Sequence, residues 1–136
     1  MIKGNELRIG NLLKTKSGKT IKTVDAIHGE GTEYYKFKGS REIEFSDTTI
    51  KYCCANYLPI ELTPKWLVRA GFKKEGNFYI INRFLKLMET NDVVGYAVFW
   101  NGTYAGCLCY VKYVHQIQNL FFSLFSEELV FSSTEP

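Results

Sequence analysis

The chain has 136 residues, 46% of them hydrophobic and 23% charged, with nine Tyr and ten Phe. That suffices for one ordinary domain or two very small ones, and it is the composition of a soluble globular chain. A formal charge of +3 falls short of the basic stripe of a dedicated DNA binder, and the apolar runs fall far short of the ~20 residues of a membrane-spanning helix.

The opening segment MIKGNELRIG has no apolar stretch of the secretory kind, so the expected location is cytoplasmic, with reduced thiols. The cysteines come as Cys53-Cys54 and Cys107-x-Cys109. Neither spacing is that of a zinc knuckle, and both pairs are expected as buried small hydrophobes.

The first sixty residues read as short strands joined by tight turns. Segments 11–16, 20–27, 32–38 and 42–45 carry the alternation or aromatic content of strands. Ser17-Gly18, Gly29-Glu30-Gly31 and Gly39-Ser40 separate them. This pattern predicts a small antiparallel barrel or curled sheet, specifically an SH3-like barrel. Lys14, Lys16, Lys19 and Lys22 lie in one acid-free run, which reads as a solvated strand edge rather than a phosphate cradle.

Helical signals follow. In LTPKWLVRAGF, Thr63 suits the N-cap, Pro64 the first helical position and Gly71 the C-terminal stop. Trp66, Leu67 and Ala70 are expected to dock this two-turn helix. Residues 77–111 predict a second antiparallel sheet, with strands at 78–81, 84–88, 93–100 and 103–111. Asn82-Arg83 and Asn101-Gly102 are its turns, the latter being the stronger hairpin signal.

From Tyr113 the period becomes helical. Val114, Ile117, Leu120, Phe121, Leu124 and Phe125 form an apolar face, with His115, Gln116, Asn119 and Ser123 opposite. Gln118 falls inside the apolar sector, where an amide must find hydrogen-bond partners. It either satisfies backbone groups or faces a ligand. On the second reading, Gln118→Leu leaves the fold intact and weakens capture. Residues 129–131 are expected to add a short strand, and SSTEP to form a polar tail.

The fold class expected is therefore α+β: a small antiparallel SH3-like barrel, then an antiparallel sheet packed against a C-terminal helix. The division expected is 1–60 and 61–136, unless the halves form one continuous domain.

Three segments carry a resemblance. LTPKWLVRAGFKK (62–74) and YVHQIQNLFFSLFSEELVF (113–131) resemble segments of a family of small uncharacterised proteins from phages and mobile elements of Bacteroidetes. Its members carry LT-x-x-x-L-x-x-x-GF and (Y/L)-H-Q-(L/I)-Q-N-L-(Y/F)-F helices. LRIGNLLKTKSGKTIKTVDAI (7–27) resembles their R-I-G-N opening strand. His-Gln-x-Gln-Asn-Leu is the most specific part, and residues 84–110 match only in pattern. The resemblance implies a phage accessory protein acting in the host cytoplasm, and it brings no activity with it.

Catalysis is not expected. His28 and His115 are the only histidines, no nucleophile, phosphate-loop or dinucleotide signature surrounds them, and Glu127 and Glu128 diverge on a helix end. No cofactor or metal is expected either. The inventory suits binding instead. Tyr34, Tyr35, Trp66, Trp100 and Tyr104 offer flat faces. His115, Gln118 and Asn119 offer a polar ledge, and Arg41, Arg69 and Arg83 offer cations. The expected function is a counter-defence binder that sequesters a small anionic, nucleotide-type immune signal. The alternative is a module that binds nucleic acid or a host protein, or a minor virion component. Homo-oligomers are compatible with either.

Overall fold

The computed structural model describes residues 7–15, 17–30, 32–37, 43–45, 57–90, 95–100 and 106–132, with backbone alone for 25–30, 32–37, 43–45 and 57. The chain forms two compact units. Residues 1–60 and 114–128 make the first, and 61–113 with 129–136 make the second. Together they hold two antiparallel sheets and a C-terminal helix, an α+β fold. Among the described residues no helix is long and apolar enough to cross a membrane.

The first unit contains β1 (Leu12–Thr15), β2 (Ile21–Glu30), β3 (Thr32–Phe37), β4 (Ile43–Phe45) and β5 (Tyr57–Leu58), in the order β4-β3-β2-β1-β5. β2 serves two neighbours. It pairs with β1 through Leu12↔Thr23 and Leu13↔Lys22, and with β3 from Val24 onward. A register shift lies between Val24 and Ala26, and such bulges bend a strand and raise its twist. The described residues form one five-stranded sheet, in which no pairing joins edge strand β4 to edge strand β5, so the closure of an SH3-like barrel is not shown among them. β2 runs through Gly29 and Glu30, which the sequence places in a turn. Glu30 pairs with Thr32 across a single residue. The Gly39-Ser40 turn and Cys53-Cys54 lie outside the described residues.

Ahead of β1, Arg8-Ile9-Gly10-Asn11 form a turn. Asn11 N–H donates to Arg8 C=O at 3.0 Å, and Gly10 sits at φ +97°. That left-handed third position favours glycine. Asn11 Oδ1 accepts from Arg8 N–H at 2.7 Å, and Asn11 is fully buried. The lysine run does not form one surface: Leu13 faces Lys22 and Lys14 faces Ile21 across the ladder, so Lys14 and Lys22 project from opposite sides.

In the second unit, α1 (Pro64–Arg69) begins and ends where its sequence signals lie. Thr63 Oγ1 accepts from Trp66 N–H at 3.4 Å. At the other end Gly71 N–H reaches Val68 C=O and Phe72 N–H reaches Leu67 C=O, both at 3.0 Å. These paired bonds make a Schellman cap, and buried Leu67 and Phe72 supply the apolar contact that accompanies one.

The sheet of this unit runs β10-β9-β8-β7-β6. Its strands are β6 (Lys73–Glu75), β7 (Phe78–Ile81), β8 (Leu85–Glu89), β9 (Tyr96–Trp100) and β10 (Cys109–Val111). The Asn82-Arg83 turn is present: both residues have positive φ, 59° and 70°, and Phe84 N–H returns to Ile81 C=O at 3.3 Å. β6 is an addition to the expected strands. Its three residues are all exposed, and the ladder with β7 closes through the pair Glu75↔Phe78 around Gly76-Asn77. The expected Asn101-Gly102 turn lies outside the described residues.

One glycine is enforced by contact. A Cβ on Gly95 would lie 2.4 Å from Val111 O and 2.8 Å from Lys112 Cα, and its φ is +82°. The approach of this backbone to the chain after β10 leaves no room for a side chain.

The final helix α2 (Val114–Phe125) belongs to the first unit, not to the 61–136 half in which the sequence division places it. Residues 129–131 form no strand. They run in the second unit, where Ser132 N–H donates to Arg69 C=O at 2.7 Å and Phe131 meets Trp66 edge-on at 5.3 Å.

Candidate functional site

The polar residues of α2 are the first place to seek a site. Gln118 is 2% exposed. Its Oε1 accepts from Leu12 N–H and its Nε2 donates to Gly10 C=O, both at 2.9 Å. Both ends of the amide are therefore committed to the backbone leading into β1. Asn119 Oδ1 accepts from Asn11 Nδ2 at 2.7 Å and from Arg8 Nε at 3.2 Å. Arg8 also forms an ion pair with Glu128 and lies 4.3 Å from the centre of the Phe122 ring.

These bonds explain why amides interrupt an apolar helix. The turn 8–11 and β1 leave N–H and C=O groups beneath α2, and Gln118 satisfies two of them where water is excluded. The helix is correspondingly rotated from its expected phase. Val114, His115, Ile117, Gln118 and Phe121 are the buried set, whereas Leu124 is exposed. His115, expected on the wet arc, is 1% exposed. The turn 8–11 and the pair Gln118-Asn119 are thus two halves of one hydrogen-bonded lock.

The other described candidates lie in both units. Trp66, Arg69 and Trp100 belong to the second unit, and His115, Gln118 and Asn119 to the first. The Arg69 guanidinium lies 4.4 Å from the Trp66 ring centre, and its Nε donates to Ser132 C=O at 2.9 Å. Trp100 stacks on Phe84 at 5.5 Å and 21°. Tyr34 and Tyr35 occupy β3, pairing with Phe45 and Glu44 of β4, and their side chains lie outside the description. So do Arg41 and Tyr104 entirely.

A surface that the sequence reading missed emerges from the register of the second sheet. Directly paired residues share a face. One row runs Lys73, Ile80, Lys86, Phe99, and the next runs Glu75, Phe78, Met88, Ala97, Tyr110. The opposite face carries Tyr79, Leu87 and Val98, all buried. On the first face Ala97 is buried, but Phe78, Ile80, Lys86, Met88 and Phe99 are only half-buried, and Tyr110 is 56% exposed. Phe78 and Phe99 meet edge-to-face at 6.3 Å, and Lys86 Nζ lies 4.5 Å from the Phe78 ring centre. The alternation in β7 and β8 signals two faces, but both are apolar enough that only burial tells which one is wet.

At one end of this face lies a hollow of about 420 Å³. Lys73, Glu75 and Ile80 of the face line it, with Gly71, Ile81, Asn82 and Arg83. A second hollow of about 420 Å³ is edged by Glu61, Glu89, Tyr96 and Lys112. Burial, then Glu89, then Tyr79 hold the Tyr96 hydroxyl protonated well above the usual tyrosine range. Cys107 is exposed and Cys109 half-buried, contrary to the expected burial of this pair. Burial, then Cys107, pushes the Cys109 thiol up. Among the described residues no three His, Cys, Asp or Glu side chains gather as a metal site.

Comparison with known protein families, with curated proteins and with solved structures finds no match.

Proposed function

We propose that the protein is a non-catalytic binder of single-stranded nucleic acid, which it receives on the open face of the second sheet. One observation carries this reading: the register places Phe78, Phe99 and Tyr110 on the same half-exposed face as Lys73 and Lys86. Aromatic rings offer π-faces to bases of any sequence, and lysines between them answer the phosphates. Lys86 already rests on Phe78, and its flexible stem lets a base take that place while the ammonium moves to a phosphate. The residues stand in two neighbouring rows that cross the strands, an extended arrangement that suits a polymer.

A second reading keeps the same chemistry for a small ligand. Sequestration of a nucleotide-type signal requires a concavity, and the hollow of about 420 Å³ beside the face has the volume of small-molecule sites. That reading is the counter-defence binder expected from the sequence. The lock around Gln118 supports neither reading, because its amide is committed to Gly10 and Leu12.

The test is fluorescence polarisation of labelled oligothymidylate and oligouridylate over a range of salt, with free mononucleotides and cyclic nucleotides as competitors. The expected result is binding that weakens steeply with salt and falls about tenfold or more in Phe99→Ala. Tight capture of a mononucleotide without oligomer binding selects the second reading. Absence of both overturns the proposal.

A further inference from the structure

The turn between β7 and β8 places an arginine in a conformation that arginine rarely adopts. Arg83 has φ 70° immediately after Asn82 at φ 59°. Two-residue turns of this hand prefer Asn followed by Gly, because a side chain at the second position crowds its own backbone. Here an exposed guanidinium occupies the glycine position. The turn is closed by Phe84 N–H donating to Ile81 C=O. Strained positions of this kind persist where the side chain serves a purpose.

The surroundings point to that purpose. Arg83 and Lys73 line the same hollow, which continues into the aromatic face through Lys73 and Ile80. Glu75 lines it too, so among the described residues two cations and one carboxylate line the hollow. The backbone of Gly71, on the same wall, presents no side chain to obstruct entry.

We infer that this hollow is a phosphate subsite of the nucleic-acid surface, in which Arg83 and Lys73 hold one backbone phosphate of a strand whose bases stack on Phe78 and Phe99. The inference rests on the proposed function and adds an anchor and an end to it. A planar guanidinium can meet two phosphate oxygens at once, whereas Lys73 acts as a point charge. Glu75 tempers the site and disfavours an isolated dianion relative to a singly charged phosphodiester.

The experiment measures affinity for labelled oligothymidylate against salt in the full chain and in Arg83→Gly, Arg83→Lys, Glu75→Gln and Phe99→Ala, together with their melting temperatures. Arg83→Gly is expected to melt higher, since glycine fits the turn, yet to lose about 0.7 from the salt slope, the value of one single-strand phosphate contact. Arg83→Lys restores the slope, and Glu75→Gln tightens binding. A stable Arg83→Gly variant that keeps the full slope overturns the phosphate subsite while leaving the stacking face standing. If the unaltered protein binds no oligomer, or Phe99→Ala binds as well as it does, the surface itself falls and takes the subsite with it.

Discussion

The two units treat polar groups in opposite ways. In the first, Gln118 and Asn11 are buried, and they and Asn119 are engaged with residues of the turn 8–11, β1 or each other. In the second, Lys86, Phe78 and Phe99 lie half-exposed and engage one another. A buried amide has few alternatives to its protein partners, so it serves the fold. A half-exposed ring with a lysine above it gives up little on exchanging that partner for a ligand. An amide within an apolar stripe, which looks like the functional oddity in sequence, is the structural feature here. The ordinary-looking strands carry the surface suited to binding.

Substitutions can break or sharpen this contrast. The largest effect is expected at Gly95, where a Cβ would meet Val111 O at 2.4 Å. Gly95→Ala should cost more than about 3 kcal/mol, because backbone on both sides must move, and chemical denaturation would show it as a large fall in midpoint. Next comes Gln118→Leu, which leaves Leu12 N–H and Gly10 C=O without their partner. A loss of about 2–4 kcal/mol is expected, with oligonucleotide affinity unchanged in the folded protein. A normal midpoint with weakened binding would reverse the roles given to the two regions.

Phe99→Ala should do the converse, lowering affinity about tenfold or more while costing less stability than Gln118→Leu, since its ring is only half-buried. Equal destabilisation by the two would make the sheet face structural and erase the contrast. The smallest effect is a pH dependence. Tyr96 ionises well above its ordinary value of 10.0 in the folded chain. Once pH passes about 10, the unfolded state has released a proton that the native state retains, so stability falls as pH rises. The denaturation midpoint of the native sequence should decline over that window, and the decline should be shallower in Tyr96→Phe.

How far the sequence carried the reading varied with the range of the forces involved. Thr63, Pro64 and Gly71 announced α1 because a helix cap is settled within a few residues. Gly76-Asn77 is a hairpin signal of the same local kind, but Lys73–Glu75 carries no alternation that marks a strand beside it. The existence of α2 was legible from its period, but its phase was not. Hydrophobicity alone turned Leu124 inward and His115 outward, whereas the structure does the reverse.

By itself, then, the sequence determined the α+β class, the first helix and its ends, the positions of most strands, and the presence of one amide out of place. Tertiary structure alone decided the partners of that amide, which lie 106 and 108 residues away along the chain, and which side of the second sheet stays wet. The reason is physical. Caps, turns and periodicity are energies of neighbouring residues, whereas burial and hydrogen-bond satisfaction depend on which distant backbone the fold brings alongside.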